Sequence, residues 1–407
     1  MRSAEAVRDD ARERGRAAAA MHCARRDPIR TSALWWLLAG LLLAAVAPAD
    51  DGAGAAGGPA AETRAMIESL GLQEGSTPTR DLPGWRPPSK VVVAWVDDPD
   101  HQAGLQAVAP GVEIVFVPSA EAAAAEVADA QVLMGSCDEE ILAQGPQLHW
   151  VQVYSAGVDH CVGNPSLAAG AKLLTNGQHI ASPALAEHAV ALMMALVRGL
   201  DRYHANQLQG AWERDIGMEG DDFMELAGRT VLVVGLGGIG TEVARRAHGL
   251  GMRVIATRGS RREGPEYVDY VGLADETLAL ARQADVVINT TPLTEQTRGM
   301  FNAAFFEAMQ PGAYFVSVGR GASTNTEDLV AALTSGRIAG AGLDVTDPEP
   351  LPAGHPLWTT PRVLITPHTA GRSDRSRERL FLLMQENLRR YVAGEPLLSV
   401  VDIERGY

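Results

Sequence analysis

Thr230-Val-Leu-Val-Val-Gly-Leu-Gly-Gly-Ile-Gly240 decides the fold class of this chain. Four β-favouring residues run into a turn containing Gly235, Gly237, Gly238 and Gly240, and a helical pattern, Glu242-Val-Ala-Arg-Arg-Ala247, follows. In that setting the first glycine permits a tight turn. The second lets backbone N–H groups approach a pyrophosphate, and the last lets helix pack close to strand. Strand, turn and helix together predict a dinucleotide site built from Gly235, Gly237, Gly238, Ile239 and Gly240.

The next strand, Arg253-Val-Ile-Ala-Thr-Arg258, ends about 20 residues on, where a carboxylate commonly meets the ribose 2′-hydroxyl. Here the chain offers Arg258, Ser260, Arg261 and Arg262 instead. A carboxylate would repel a 2′-phosphate, whereas guanidinium groups pair with one bidentately. NADP(H) is therefore the expected cofactor, with NAD(H) possible and Arg258, Ser260 and Arg261 as its ligands. The alternative is a solvated basic loop.

With 407 residues, 46% hydrophobic and 21% charged, the chain suits two globular domains. A net charge of −15 without a basic stripe argues against nucleic acid as a partner. Residues 1–49 read as a leader. Arg25, Arg26 and Arg30 precede an apolar run from Ala33 to Ala47, and Ala47-Pro48-Ala49 supplies small residues for cleavage. The run is short for a membrane span, and no later segment qualifies. Export to the periplasm is expected, by a twin-arginine route if Arg25-Arg26 serves as the address; the alternative is a cytoplasmic enzyme with a start assigned too far upstream. Residues 50–89 read as a linker, with folding proper from Lys90. Cys137 and Cys161 could pair only within roughly 7 Å of one another between Cα atoms, and two buried free thiols are expected. No metal site is predicted.

From Lys90 strand-like and helix-like segments alternate, which implies parallel sheets covered by helices. A long helical run, Ser182–Gln209, carries Ala184, Ala191 and Ala195 as small residues for close helix approach. Strands recur around 254–257, 286–289, 314–318, 340–344 and 363–366. Three elements then sit at carboxyl ends of strands, where open α/β sheets bind ligands: Val318-Gly-Arg-Gly321, Gly342-Leu-Asp344 through Glu349-Pro350, and Thr366-Pro-His368. Together they hold what oxidation of an alcohol beside a carboxylate requires. Arg320 can grip a carboxylate and polarise a carbonyl. His368 can pass a proton near neutral pH, and Glu349 beside it would favour imidazolium and raise its pKa.

From about Val91 to Val401 the sequence resembles the D-isomer-specific 2-hydroxyacid dehydrogenases. Gly235-Leu-Gly-Gly-Ile-Gly240, Pro292-Leu-Thr294, Gly319-Arg-Gly321, Gly342-Leu-Asp-Val345, Glu349-Pro350 and Thr366-Pro-His368 match that family's motifs in order. The stretch from Gly342 to Pro352 with His355-Pro-Leu357 is similar to glyoxylate/hydroxypyruvate reductases, which often use NADPH. The resemblance implies two doubly wound parallel-sheet α/β domains, the second a Rossmann domain inserted in the first. The substrate-binding domain would be discontinuous, residues 90–183 and 369–407. The NAD(P)-binding domain with its connecting helix would be 184–368, and that helix helps form a homodimer in relatives. It also implies roles: Arg320 binds a small 2-oxo or 2-hydroxy acid, Glu349 pairs with His368, and His368 is the general acid/base. Asp344 would lie on the nicotinamide carboxamide side, with Thr291 and Pro292 lining the cofactor cleft. Backbone N–H groups of Ala156 and Gly157, in Ser155-Ala-Gly-Val-Asp159, would hold the substrate carboxylate. Specificity would come from around Met134–Ser136 and Tyr154. A nucleotide-sensing corepressor on the same fold is the competing reading, and an export signal would exclude it.

Overall fold

A computed structural model describes residues 60–168, 170, 172–216 and 223–407. The leader and residues 50–59 of the linker lie outside the described residues. Two parallel sheets organise the chain. The first contains β1 (Lys90–Ala94), β2 (Glu113–Val117), β3 (Val132–Met134), β4 (Trp150–Gln152) and β5 (Leu173–Thr175), in the order β2-β1-β3-β4-β5. The second contains β6 (Thr230–Val234), β7 (Arg253–Arg258), β8 (Tyr270–Leu273), β9 (Val286–Asn289), β10 (Ala313–Ser317), β11 (Ile338–Leu343) and β12 (Val363–Ile365). Its order is β12-β11-β10-β9-β6-β7-β8, so β6, which feeds the glycine turn, lies at the switch point where chain direction across the sheet reverses.

Burial explains the composition of these strands. Every residue of β1, β6, β9 and β10 is buried. Strands covered on both faces read as continuous apolar runs rather than alternating ones. The helices that cover them and set the site are α1 (Ala61–Leu70), α2 (Pro99–Val108), α3 (Ser182–Val197), α4 (Leu200–Leu208), α5 (Gly238–Gly249) and α6 (Ser376–Ala393). On one face of the seven-stranded sheet, Ala186, Ala189, Leu192 and Met193 of α3 pack with Val243, Ala244 and Ala247 of α5. On one face of the five-stranded sheet, Phe381, Met384, Leu388 and Tyr391 of α6 cover Val91, Val93, Val132 and Trp150. The Tyr391 ring stacks on Trp150 at 5.1 Å.

Several expectations need correction. The run Ser182–Gln209 is two helices, not one: Gly199 takes a left-handed φ of 61°, and the axes bend by 73°. The close approach to α5 uses Ala186 and Ala189, whereas Ala191 is exposed and Ala184 and Ala195 are half-buried. Residues 60–89 are not a linker. Met66 and Leu72 are buried with Ile180, Leu383 and Leu398, and Glu74 bridges antiparallel to Leu398. The amphipathic stretch Glu62–Leu70 is legible in the sequence; the Pro and Gly residues that follow it read as a linker although the segment packs on the core.

Cys137 and Cys161 are a disulfide, not free thiols: their Cα atoms are 5.6 Å apart, inside the bonding range. Among the described residues no single helix is long and apolar enough to cross a membrane.

Candidate active site

The glycine turn is built as its sequence requires. Gly235 has φ +97°, a conformation side chains rarely adopt, and a Cβ on Gly240 would fall on the Gly235 carbonyl oxygen. Gly237 offers no side-chain cap to α5, so the first N–H groups of that helix stay open toward the cleft. Thr290 Oγ1 donates to Gly235 O at 2.7 Å and fixes the turn against the end of β9.

A cleft of 630 Å³ runs between the carboxyl ends of the two sheets. It brings together Ala156, Gly157, Gly237, Gly238, Ile239, Thr291, Pro292, Arg320 and His368. Gly235 and Gly240 lie behind it as turn supports. Arg258 sits half-buried at the end of β7, followed by exposed Ser260 and Arg261. Arg258 Nε is buried without a hydrogen-bond partner. Burial, then the neighbouring Arg261 charge, push this guanidinium below the usual arginine range, while Glu263 acts the other way. Arg262 differs from its neighbours: it turns to Glu276 at 2.6 Å and to the Tyr270 hydroxyl.

His368 is held by a local frame. Its φ is 52°, and its N–H donates to Asp344 O at 2.8 Å. The Asp344 carboxylate is 2% exposed and does not line the cleft. It accepts from Thr366 Oγ1 (2.7 Å), Thr369 N (2.9 Å) and Ala370 N (3.0 Å), binding the turn that carries His368. His188 on α3 reaches the same turn, with Nε2 2.8 Å from Thr366 Oγ1. His368 Nδ1 lies 2.6 Å from Glu349 Oε1, and a carboxylate can only accept there. Nδ1 is therefore the protonated nitrogen, which leaves Nε2 for a ligand.

Across the cleft, Arg320 follows β10. Its Nε donates to Asp159 Oδ1 at 2.9 Å and its Nη1 to Gly319 O at 3.2 Å. Burial raises the Asp159 carboxyl, but the hydrogen bond and charge of Arg320 outweigh it and hold the group below the usual carboxylate range. A Cβ at Gly157 would coincide with Arg320 Nη2, so only glycine allows this approach.

Two residues that sequence reading did not single out as ligands stand in the same cleft. Asp159 lies in the quoted substrate loop, but its partner is 161 residues away. His179 takes φ 70°, hydrogen-bonds through Nδ1 to Leu70 O at 2.8 Å, and lies against Gly238. No sequence signal marks it. Of the residues expected to set specificity, Tyr154 lines the cleft. Met134 is instead fully buried in the core, and Ser136 lines a separate cavity of 490 Å³.

A family model described as D-isomer specific 2-hydroxyacid dehydrogenase, NAD binding domain, matches residues 190–370. A human glyoxylate reductase/hydroxypyruvate reductase is 33% identical over 275 residues, covering 67% of this chain and 83% of that protein. The glyoxylate reductase of Pyrococcus furiosus is 34% identical over 284 residues, covering 68% and 83%. An NADPH-dependent glyoxylate/hydroxypyruvate reductase from Sinorhizobium meliloti, solved with NADP and sulfate, superposes with a TM-score of 0.67 at 27% identity, covering 78% of this chain and 100% of that one.

Proposed function

Because the chain belongs to the D-isomer-specific 2-hydroxyacid dehydrogenases, nicotinamide-dependent enzymes of small 2-oxo and 2-hydroxy acids, we propose that it reduces a glyoxylate- or hydroxypyruvate-like 2-oxo acid with NADPH. The observation that carries the reaction is that Arg320 and His368 line one cleft, with Glu349 on the Nδ1 of the imidazole. Arg320 binds the substrate carboxylate and polarises the carbonyl, aided by the N–H groups of Ala156 and Gly157. His368 gives its Nε2 proton to the carbonyl oxygen during reduction, and Glu349 fixes its tautomer and stabilises the imidazolium before transfer. The bound cofactor supplies hydride.

The glycine turn, Ile239, Thr291 and Pro292 would hold the dinucleotide. Arg258, with Ser260 and Arg261, would take the 2′-phosphate, supported by the unpartnered Arg258 Nε. Asp344 acts mainly through the His368 turn. Kinetics with NADPH and NADH against glyoxylate, hydroxypyruvate, pyruvate and bulkier 2-oxo acids test this. A higher kcat/KM with NADH would sink the cofactor assignment, and absence of turnover with every oxo acid would sink the reaction.

Two further readings concern the whole protein. The chain is exported: a disulfide persists in oxidising compartments, and Cys137–Cys161 agrees with the leader's pattern. It is also a homodimer joined around α4, where Leu200, Tyr203, Leu208 and Trp212 are exposed, Trp212 by 91%.

A further inference from the structure

Arg320 is a long side chain asked to present a flat fork to a small anion. Its affinity for that anion depends on whether the fork is already fixed. In the structure it is fixed from the opposite wall. Asp159 Oδ1 takes the Nε–H at 2.9 Å, and Gly319 O takes an Nη1 hydrogen. Nη2 lies over the bare Cα of Gly157, and the guanidinium's hydrogen bonds to Asp159 and Gly319 run through Nε and Nη1. The edge left open is the one that can meet a carboxylate.

The loop that carries Asp159 is itself held on both flanks. Before it, Asn176 Nδ2 donates to Ala156 O at 2.7 Å. Within it, Ser155 Oγ donates to Gly157 O at 2.8 Å, and Val158 is buried. After it, Cys161 N donates to Val158 O at 2.8 Å, and Cys161 is bonded to Cys137, which follows β3. Asn164 Nδ2 adds a hydrogen bond to Cys137 O, so the same two segments are joined twice. Both cysteines are buried, 4% and 0% exposed, and Asp159 stands two residues from the second.

We propose that Asp159 is a positioning residue for Arg320, fixing the guanidinium through Nε, and that the Cys137–Cys161 bridge holds Asp159 in register for that task. The proposal rests on the reading of Arg320 as the group that binds the substrate carboxylate. It predicts a division of effects: loss of Asp159 or of the bridge weakens the oxo acid's grip and leaves the dinucleotide's untouched.

The test uses the purified enzyme, with KM for glyoxylate at saturating NADPH and Kd for NADPH by fluorescence titration. Asp159→Ala is expected to raise KM about tenfold, the size of a lost hydrogen bond to a charged group, with Kd unchanged. Asp159→Asn falls between, because its amide oxygen still accepts from Nε. In an Arg320→Lys background the same Asp159→Ala change adds less than about twofold, as it must if both act through one contact. The Cys137→Ser/Cys161→Ser double variant raises KM by about threefold, a smaller loss because the loop's other hydrogen bonds remain.

A full tenfold effect of Asp159→Ala in both Arg320 backgrounds overturns the positioning role. So does a normal KM in Asp159→Ala when Arg320→Lys is impaired. A wild-type KM in the cysteine double variant overturns the bracing role of the disulfide. If Arg320→Lys itself leaves KM unmoved, the carboxylate reading of Arg320 falls, and the proposal falls with it.

Discussion

His368 occupies a backbone conformation, φ 52°, that few non-glycine residues take. The strain is tolerated because the buried Asp344 carboxylate collects three donors from the same turn. This makes the ring's placement a property of the turn, so a substitution at His368 should leave the turn standing. His368→Ala is expected to lower kcat by at least about a hundredfold, the usual contribution of a positioned acid/base, while NADPH still binds in a fluorescence titration. Activity within about threefold of wild type would remove His368 from the chemistry. His368, Arg320 and Glu349 were legible because each ends a strand or turn whose residues are contiguous in sequence. Asp159 and His179 were not, because their partners come from segments far along the chain and only the closed fold brings them together.

At the scale of elements, α6 covers the five-stranded sheet through packing and ties itself by charge to its own C-terminal end and to the segment that carries Glu74. Glu386 is buried and receives Arg389 Nη2 at 2.9 Å and Arg390 Nε at 2.7 Å. Arg389 also pairs with Glu395, and Arg390 with Glu74. Glu386→Gln leaves two buried guanidinium groups undercompensated and should cost roughly 3 kcal/mol of stability. Chemical denaturation would check it; a loss below about 0.5 kcal/mol would show that water or rearrangement replaces the pair. The Arg389 hydrogen bond holds the Glu395 carboxyl below its ordinary range, against burial. Its stabilisation is therefore complete above about pH 4.3, the free glutamate value, and is lost as pH falls through the lower folded value.

The apolar strands β1, β6, β9 and β10 were readable from their runs. Strands β5 (Leu173–Thr175) and β8 (Tyr270–Leu273) did not stand out because neither holds an apolar run longer than two residues, Thr175 and Gly272 breaking it. Helix α2 has one buried side chain, Leu105, and so shows almost no apolar period.

At the scale of the molecule, dimerisation and export have direct measurements. Light scattering should give twice the chain mass, and Trp212→Asp should return it to the single mass, because a charge placed at the centre of an apolar contact opposes association. An unchanged mass in that variant would remove α4 and its following arm from the interface. Cell fractionation should place the protein outside the cytoplasm, with no free thiol at Cys137 or Cys161 in denatured samples. Recovery in the cytosol with two titratable thiols would favour the alternative of a start assigned too far upstream.

The stitching of residues 60–89 onto the end of the chain sets a limit on maturation. Gly75 N donates to Leu397 O at 2.8 Å, Leu70 O meets the His179 ring, and Met66 and Leu72 close over Ile180, Leu383 and Leu398. Among the described residues, these contacts begin at α1. Removal of Met66 through Gly75 would strip these partners from the end of the polypeptide and from His179, which lines the cleft. A chain beginning at Asp50 would keep all of these contacts, whereas one beginning at Lys90 would lose them.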